Sequence, residues 1–260
     1  MLFSPWPFSP VAFEILGWPV RWYGLSYLVG AAICALLLPF FLRARGEKIA
    51  DAGKGWDAVA AILLAGIVGG RLGFFLFYAP GELFSAQLFR LWEGGMSFHG
   101  GLLGGVVGAL LVSRRNGWNH WRLGDALAIP LALAFGVGRL ANFVNGELIG
   151  RPTDSLLGVE FPGWEGARWP SQLFEAGKNF LLAAVLFLLL RRLGDRLPPG
   201  KLFASWVFGY GALRFIIEFF REPNWLWLGL SGGQWLCLAM VLLGGAALAS
   251  NKFLKKLGAR

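Results

Sequence analysis

Seven stretches of this chain, roughly 22–42, 58–78, 96–113, 123–141, 171–190, 202–220 and 234–250, are apolar over most of their length and carry few interior charges. A helix needs about 20 such residues to cross the hydrocarbon of a bilayer. In lipid the backbone must satisfy its own hydrogen bonds, and a helix does so within one segment. A composition that is 56% hydrophobic and only 15% charged agrees with lipid as the solvent. The expected fold class is an all-α polytopic membrane protein of about seven transmembrane helices. No long linker or charge block divides it, so residues 1–260 read as one domain.

The net charge of +9 would suit nucleic acid, but the positions of the basic residues argue against that partner. Arg43, Arg45, Lys48 and Lys54 follow the first run, Arg114, Arg115 and Arg122 the third, Arg191, Arg192, Arg196 and Lys201 the fifth, and Lys252, Lys255, Lys256 and Arg260 the seventh. Basic residues in alternate loops mark the cytoplasmic side, which puts the N-terminus in the periplasm and the C-terminus in the cytoplasm. The first twenty residues, with Pro5, Pro7 and Pro10, lack the basic start of a cleavable signal. They read as an interfacial lead-in whose Trp6, Phe8 and Trp18 rings favour headgroup depth. Cys34 and Cys237 fall within apolar runs and read as small structural hydrophobes, so no disulfide, metal site or cofactor is expected.

The outer loops are distinctive. Residues 143–170, with Pro152, Pro162 and Pro170 among glycines, read as a small irregular periplasmic cap. Residues 79–95, with Phe89 and Trp92, and 221–233, with Trp225 and Trp227, read as segments lying along the interface. A short repeat, Gly70-Arg71-Leu72 and Gly138-Arg139-Leu140, places one arginine in each of the second and fourth runs.

An ionisable side chain within a span costs about 2.5–3.5 kcal/mol on insertion scales. Arg71, Asp125, Arg139, Glu175, Lys178, Arg214 and Glu218 all fall within the runs, and His99 lies near the outer end of another. They read either as structural ion pairs or as a site. Arg214 and Glu218, four apart on one helical face, suit a simple pair. Asp125, near the start of its run, suits a helix N-terminus. The other members gather toward the outer ends, where Arg139, Asn142, Asn145, Glu147 and Arg151 form a dense polar stretch. Guanidinium groups match phosphate oxygens bidentately, so an anion site is the expected use. Of the two histidines, His120 falls in an inner loop, leaving His99 for any imidazole chemistry at the outer face. Tyr23 opens the first run and by itself reads as an interfacial aromatic.

With these residues laid out, the chain resembles the phosphatidylglycerol:prolipoprotein diacylglyceryl transferases. GRLANFVNGELIGRP at 138–152 carries the resemblance furthest, and RWYG at 21–24, GGMSFHGG at 94–101, PSQL at 170–173 and YGALRFIIEFFR at 210–221 match in the same order. The resemblance implies a bacterial inner-membrane enzyme that moves the diacylglyceryl group of phosphatidylglycerol onto the lipobox cysteine of a prolipoprotein signal peptide and releases glycerol phosphate. It implies functional roles for Tyr23, His99, Arg139, Asn142, Glu147, Gly150, Arg214 and Glu218. Within that set His99, Arg139, Arg214, Glu218 and Tyr23 are expected to be catalytic, and Arg139, Asn142, Asn145, Glu147, Gly150 and Arg71 to bind the phospholipid, Asn145 and Arg71 being added on the polar clustering alone. Trp169 and Phe174 stand where the family usually has His and Tyr, which puts any role of those two positions in doubt. A transporter or channel for an anionic solute would also use intramembrane arginines. It calls for a path open to both faces, whereas the polar residues here concentrate outward.

Overall fold

The computed structural model describes residues 6–49, 53–83, 85–223 and 225–250. Pro5 of the lead-in and the basic tail with Lys252, Lys255, Lys256 and Arg260 lie outside them. Seven α-helices follow in order: α1 Trp22–Ala44, α2 Gly53–Tyr78, α3 Phe98–Asn116, α4 His120–Val144, α5 Ser171–Leu193, α6 Lys201–Ile217 and α7 Gly232–Ala249. All but α3 are long and apolar enough to cross a membrane, and the chain is a multi-pass membrane protein. α3 is rich in glycine and ends in Arg114 and Arg115, which lowers its hydropathy.

Within the segment read as an interfacial lead-in lies an antiparallel hairpin, β1 Val11–Ile15 and β2 Trp18–Arg21. Its turn residues Leu16 and Gly17 have φ of 51° and 80°. A second hairpin, β5 Leu226–Trp227 with β6 Leu230–Ser231, precedes α7 and turns at Leu228 and Gly229, with φ of 49° and 76°. Two successive left-handed residues match the right-handed twist of paired strands.

The chain divides into two compact units, Ala35–Leu123 and the combination of Met1–Cys34 with Gly124–Arg260. In the first, α2 and α3 lie backbone on backbone. A Cβ at Gly69 would stand 2.8 Å from the Cα of Gly104, and one at Gly73 2.9 Å from the Cα of Gly100. Small residues are what allow helices to approach this closely in lipid. The glycines of the Ser97-Phe98-His99-Gly100-Gly101 stretch thus receive α2.

In the second unit, helix ends are tied by side chains from neighbouring helices. Asp125 of α4, fully buried, does not cap its own helix. Its Oδ2 accepts from the Gly200 amide at 2.9 Å and its Oδ1 from the Phe203 amide at 2.8 Å, both at the start of α6. The N-cap of α6 is Gly200, which has no side chain to do this. Lys201 opens α6 and donates to the carbonyls of Ala247, Leu248 and Ser250, closing the end of α7. Asp125→Ala is expected to lower the stability of the folded protein by about 2–3 kcal/mol, since two buried amides lose their acceptor. Asn at this position should lose less. Thermal unfolding in detergent micelles checks this; an unchanged midpoint for the Ala variant would rule the cap out.

The cap also has more order than its composition suggests. Val159–Glu160 and Ala167–Arg168 pair as β3 and β4, and Phe143, Ile149, Val159 and Phe161 form a small core. Trp6, expected at headgroup depth, packs on that core with its ring 5.1 Å from Phe143 and 5.0 Å from Phe161.

Candidate active site

Arg139 of α4, Lys178 of α5 and Arg214 of α6 converge on Glu175. PSQL places it: Ser171 Oγ donates to the Leu148 carbonyl at 3.0 Å and Gln172 Nε2 to the Glu147 carbonyl at 2.6 Å. These bonds fasten the first turn of α5 to the cap, and Glu175 follows one turn later with no exposed surface. Its Oε1 accepts from Arg214 Nη1. Its Oε2 has Lys178 Nζ at 3.4 Å and Arg139 Nε at 3.8 Å.

Arg214 is gripped from both sides. Its Nη2 lies 2.8 Å from Oε2 of Glu218, so the pair expected from the four-residue spacing exists but is only half of the arrangement. Glu218 is in turn held at the start of α7, where Ser231 Oγ donates to its Oε1 at 2.9 Å. The helix N-terminus favours a carboxylate there. A Cβ at Gly233 would approach that same oxygen to 2.5 Å, so glycine is what admits Glu218. Arg221 Nε stands 3.5 Å from Glu218 Oε2. Burial, with Arg214 adding to it, pushes the Arg221 guanidinium down to about 10, which leaves it cationic at neutral pH.

Arg139 is held more loosely. Besides the distant Glu175, its Nη1 donates to Asn142 Oδ1 at 3.5 Å. Asn142 passes the contact on, its Nδ2 donating to Glu147 Oε2 at 3.2 Å, while Asn145 Nδ2 donates to Glu147 Oε1 at 3.3 Å. The amide is suited to this post because it accepts from a guanidinium at one end and donates to a carboxylate at the other.

Arg139, Lys178, Arg214 and Arg221 surround Glu175 and Glu218, so four cations face two carboxylates and two positive charges are left over. Arg221 Nη1 is buried with no hydrogen-bond partner among the described residues. A low-dielectric cluster with surplus cations and unspent guanidinium donors is built to take an anion.

Other expected site residues have different surroundings. Arg71 uses all five of its N–H directions on backbone: Nε on Leu88, Nη1 on Gly94 and Gly95, Nη2 on Gln87 and Arg90. It therefore gathers the turns of residues 80–93 and keeps no donor for a phosphate. Gly150 sits where three strands of backbone cross. Its amide donates to the Trp169 carbonyl at 3.0 Å, and a Cβ would meet the carbonyls of Trp169 and Phe220. Tyr23 pairs its hydroxyl with that of Tyr27 at 2.8 Å. His99 lies in the first turn of α3, capped by Ser97 Oγ, with its exposed ring edge-on to Phe98.

Glu175, Lys178 and Arg221 did not enter the sequence-derived site, although they surround it. The available signal was the three-residue spacing of Glu175 and Lys178 inside an apolar run, where two charges on one face ask for a partner.

The profile described as Prolipoprotein diacylglyceryl transferase matches residues 10–250. The chain belongs to this family. It is 41% identical over 264 residues to the phosphatidylglycerol–prolipoprotein diacylglyceryl transferase of Aromatoleum aromaticum, covering 97% of this chain and 98% of the relative. The Bordetella avium protein of the same name is 43% identical over 251 residues, covering 93% of each. That of Nitrosomonas europaea is 40% identical over 257 residues, covering 95% of this chain and 91% of the relative.

Proposed function

We propose that this chain transfers the diacylglyceryl group of phosphatidylglycerol to the thiol of a prolipoprotein's lipobox cysteine, the first step of lipoprotein maturation. Family membership supports the reaction class over an anion transporter, and the surplus of cations about Glu175 is the observation that carries the assignment of the site. The sulfur attacks a glycerol carbon, a C–S bond forms, and the C–O bond to phosphate breaks with its electron pair going to the departing glycerol phosphate. Arg139 takes the phosphate and offsets the charge that grows on it, a role strongest where water is excluded. Arg214, neutralised between two carboxylates, positions the cluster. Asn142 and Glu147 orient Arg139, Asn145 steadies Glu147, and Tyr23 supplies a further hydrogen-bonding hydroxyl. The distribution of basic loops supports a bacterial inner-membrane protein with this cluster toward the periplasm.

The thiol must lose its proton, and His99 is the proposed acceptor, a role worth about a hundredfold to ten-thousandfold in rate. His99→Gln should lose that rate; near-normal transfer would exclude the base role. The reaction itself is tested by incubating the protein with phosphatidylglycerol and a lipobox peptide and weighing the peptide. An unmodified mass under conditions where the protein stays folded would reject the function.

A further inference from the structure

Lys178 takes no part in the reaction as proposed, yet it is an ammonium buried in an apolar helix, where a charge needs a reason. Its Nζ lies 3.4 Å from the centre of the Tyr210 ring, donates to Asn179 Oδ1 at 3.2 Å, and stands 3.4 Å from Glu175 Oε2. The ring face and the amide fix the ammonium in place. That carboxylate oxygen is contested. Arg139 Nε stands 3.8 Å from the same oxygen, beyond hydrogen-bond reach.

Resting on the phosphate-binding reading of the cluster, we propose that Lys178 is a positioning residue for the phospholipid headgroup. It satisfies the charge of Glu175 and so keeps Arg139 from closing on that carboxylate. The guanidinium, held by Asn142 and the Tyr210 hydroxyl but by no close carboxylate among the described residues, is then available to the phosphate. When the phosphate engages Arg139, Lys178 remains as the counterion that Glu175 needs in a medium where an unpaired carboxylate is costly. Removing the ammonium has two effects of the same sign. Glu175 draws Arg139 into a direct bond, and the surplus of the cluster falls by one positive charge, unscreened because the groups are buried. Both weaken the hold on an anion and neither touches the attacking sulfur.

The test is steady-state transfer in mixed micelles with phosphatidylglycerol varied, comparing wild type, Lys178→Met and Lys178→Arg, with glycerol phosphate as competing anion. Lys178→Met is expected to raise KM for the phospholipid and the inhibition constant of glycerol phosphate together, by about tenfold each, with kcat changed less than about threefold. Lys178→Arg keeps the charge and is expected to restore both constants. A fall in kcat with KM and the inhibition constant unmoved would overturn the proposal. So would a tenfold rise in KM in the Arg variant, which also decides the matter if the Met variant does not fold. If the Met variant binds normally while Arg139→Ala is still inactive, this inference fails and the phosphate site stands; if wild type itself transfers nothing, the reading beneath both has failed.

Discussion

Arg139→Ala is expected to cut diacylglyceryl transfer by about a hundredfold to a thousandfold while the protein stays folded in the membrane. The expectation rests on how little holds this side chain. Among the described residues its ionic partner is Glu175 at 3.8 Å, and its other contacts are Asn142 at 3.5 Å and the Tyr210 hydroxyl. Truncating it therefore strands no tightly bound carboxylate, since Glu175 keeps Arg214 and Lys178. The loss should appear in the chemical step rather than in the yield of folded protein. Lys at this position retains the charge but not the planar fork, so partial recovery is the expected outcome. Transfer to a lipobox peptide in proteoliposomes, with thermal unfolding as the control, measures both. Turnover within about twofold of wild type would remove Arg139 from the phosphate site.

Arg214 would be a poorer probe of the same idea. It bridges Glu175 and Glu218, both buried, and removing it leaves two carboxylates short of a cation. Breaking a buried pair at one end is strongly destabilising, about 3–5 kcal/mol. Lost activity there would mix folding with chemistry. On the proposed reading the two arginines divide the work, Arg214 holding the cluster together and Arg139 meeting the ligand.

How far the sequence revealed this follows from which interactions leave a mark in it. Apolar length marks helices, and all seven were legible, with α2 beginning earlier, at Gly53, because Lys54 and Asp57 extend it past the apolar run. The hairpins were not. Their turns use Leu16-Gly17 and Leu228-Gly229, where an Asn or Asp before the glycine would have given the signal. The polar stretch from Arg139 to Glu147 was legible because its members are close in sequence as well as in space. Asp125 was read as local because its partners, the amides of Gly200 and Phe203, have no side-chain identity to read. The repeated Gly-Arg-Leu shows the same limit, since Arg139 faces carboxylates while Arg71 faces carbonyls, and nothing in the tripeptide tells the two apart.

Arg71→Lys tests that contrast and carries the second large effect. Five backbone carbonyls, those of Gln87, Leu88, Arg90, Gly94 and Gly95, accept from one guanidinium, which is 5% exposed and also lies 4.8 Å from the Phe75 ring centre. A lysine brings three donors from a single atom and cannot reach acceptors spread around a planar fork. The carbonyls of Gln87 and Arg90 also accept from the Arg90 and Glu93 amides, but those of Leu88, Gly94 and Gly95 rely on the guanidinium, and each left without a partner costs about 1–3 kcal/mol. The described residues of 80–93 form short 3-10 turns, none of them with a buried residue of its own, so little else among them holds the segment. The conservative variant is therefore expected to release this segment, with amide exchange rising there by about a hundredfold or more while α2 and α3, locked through their glycines, exchange as before. Unchanged protection of these turns in Arg71→Lys would mean that the guanidinium does not hold them, and would return Arg71 to the pool of groups available to an anion.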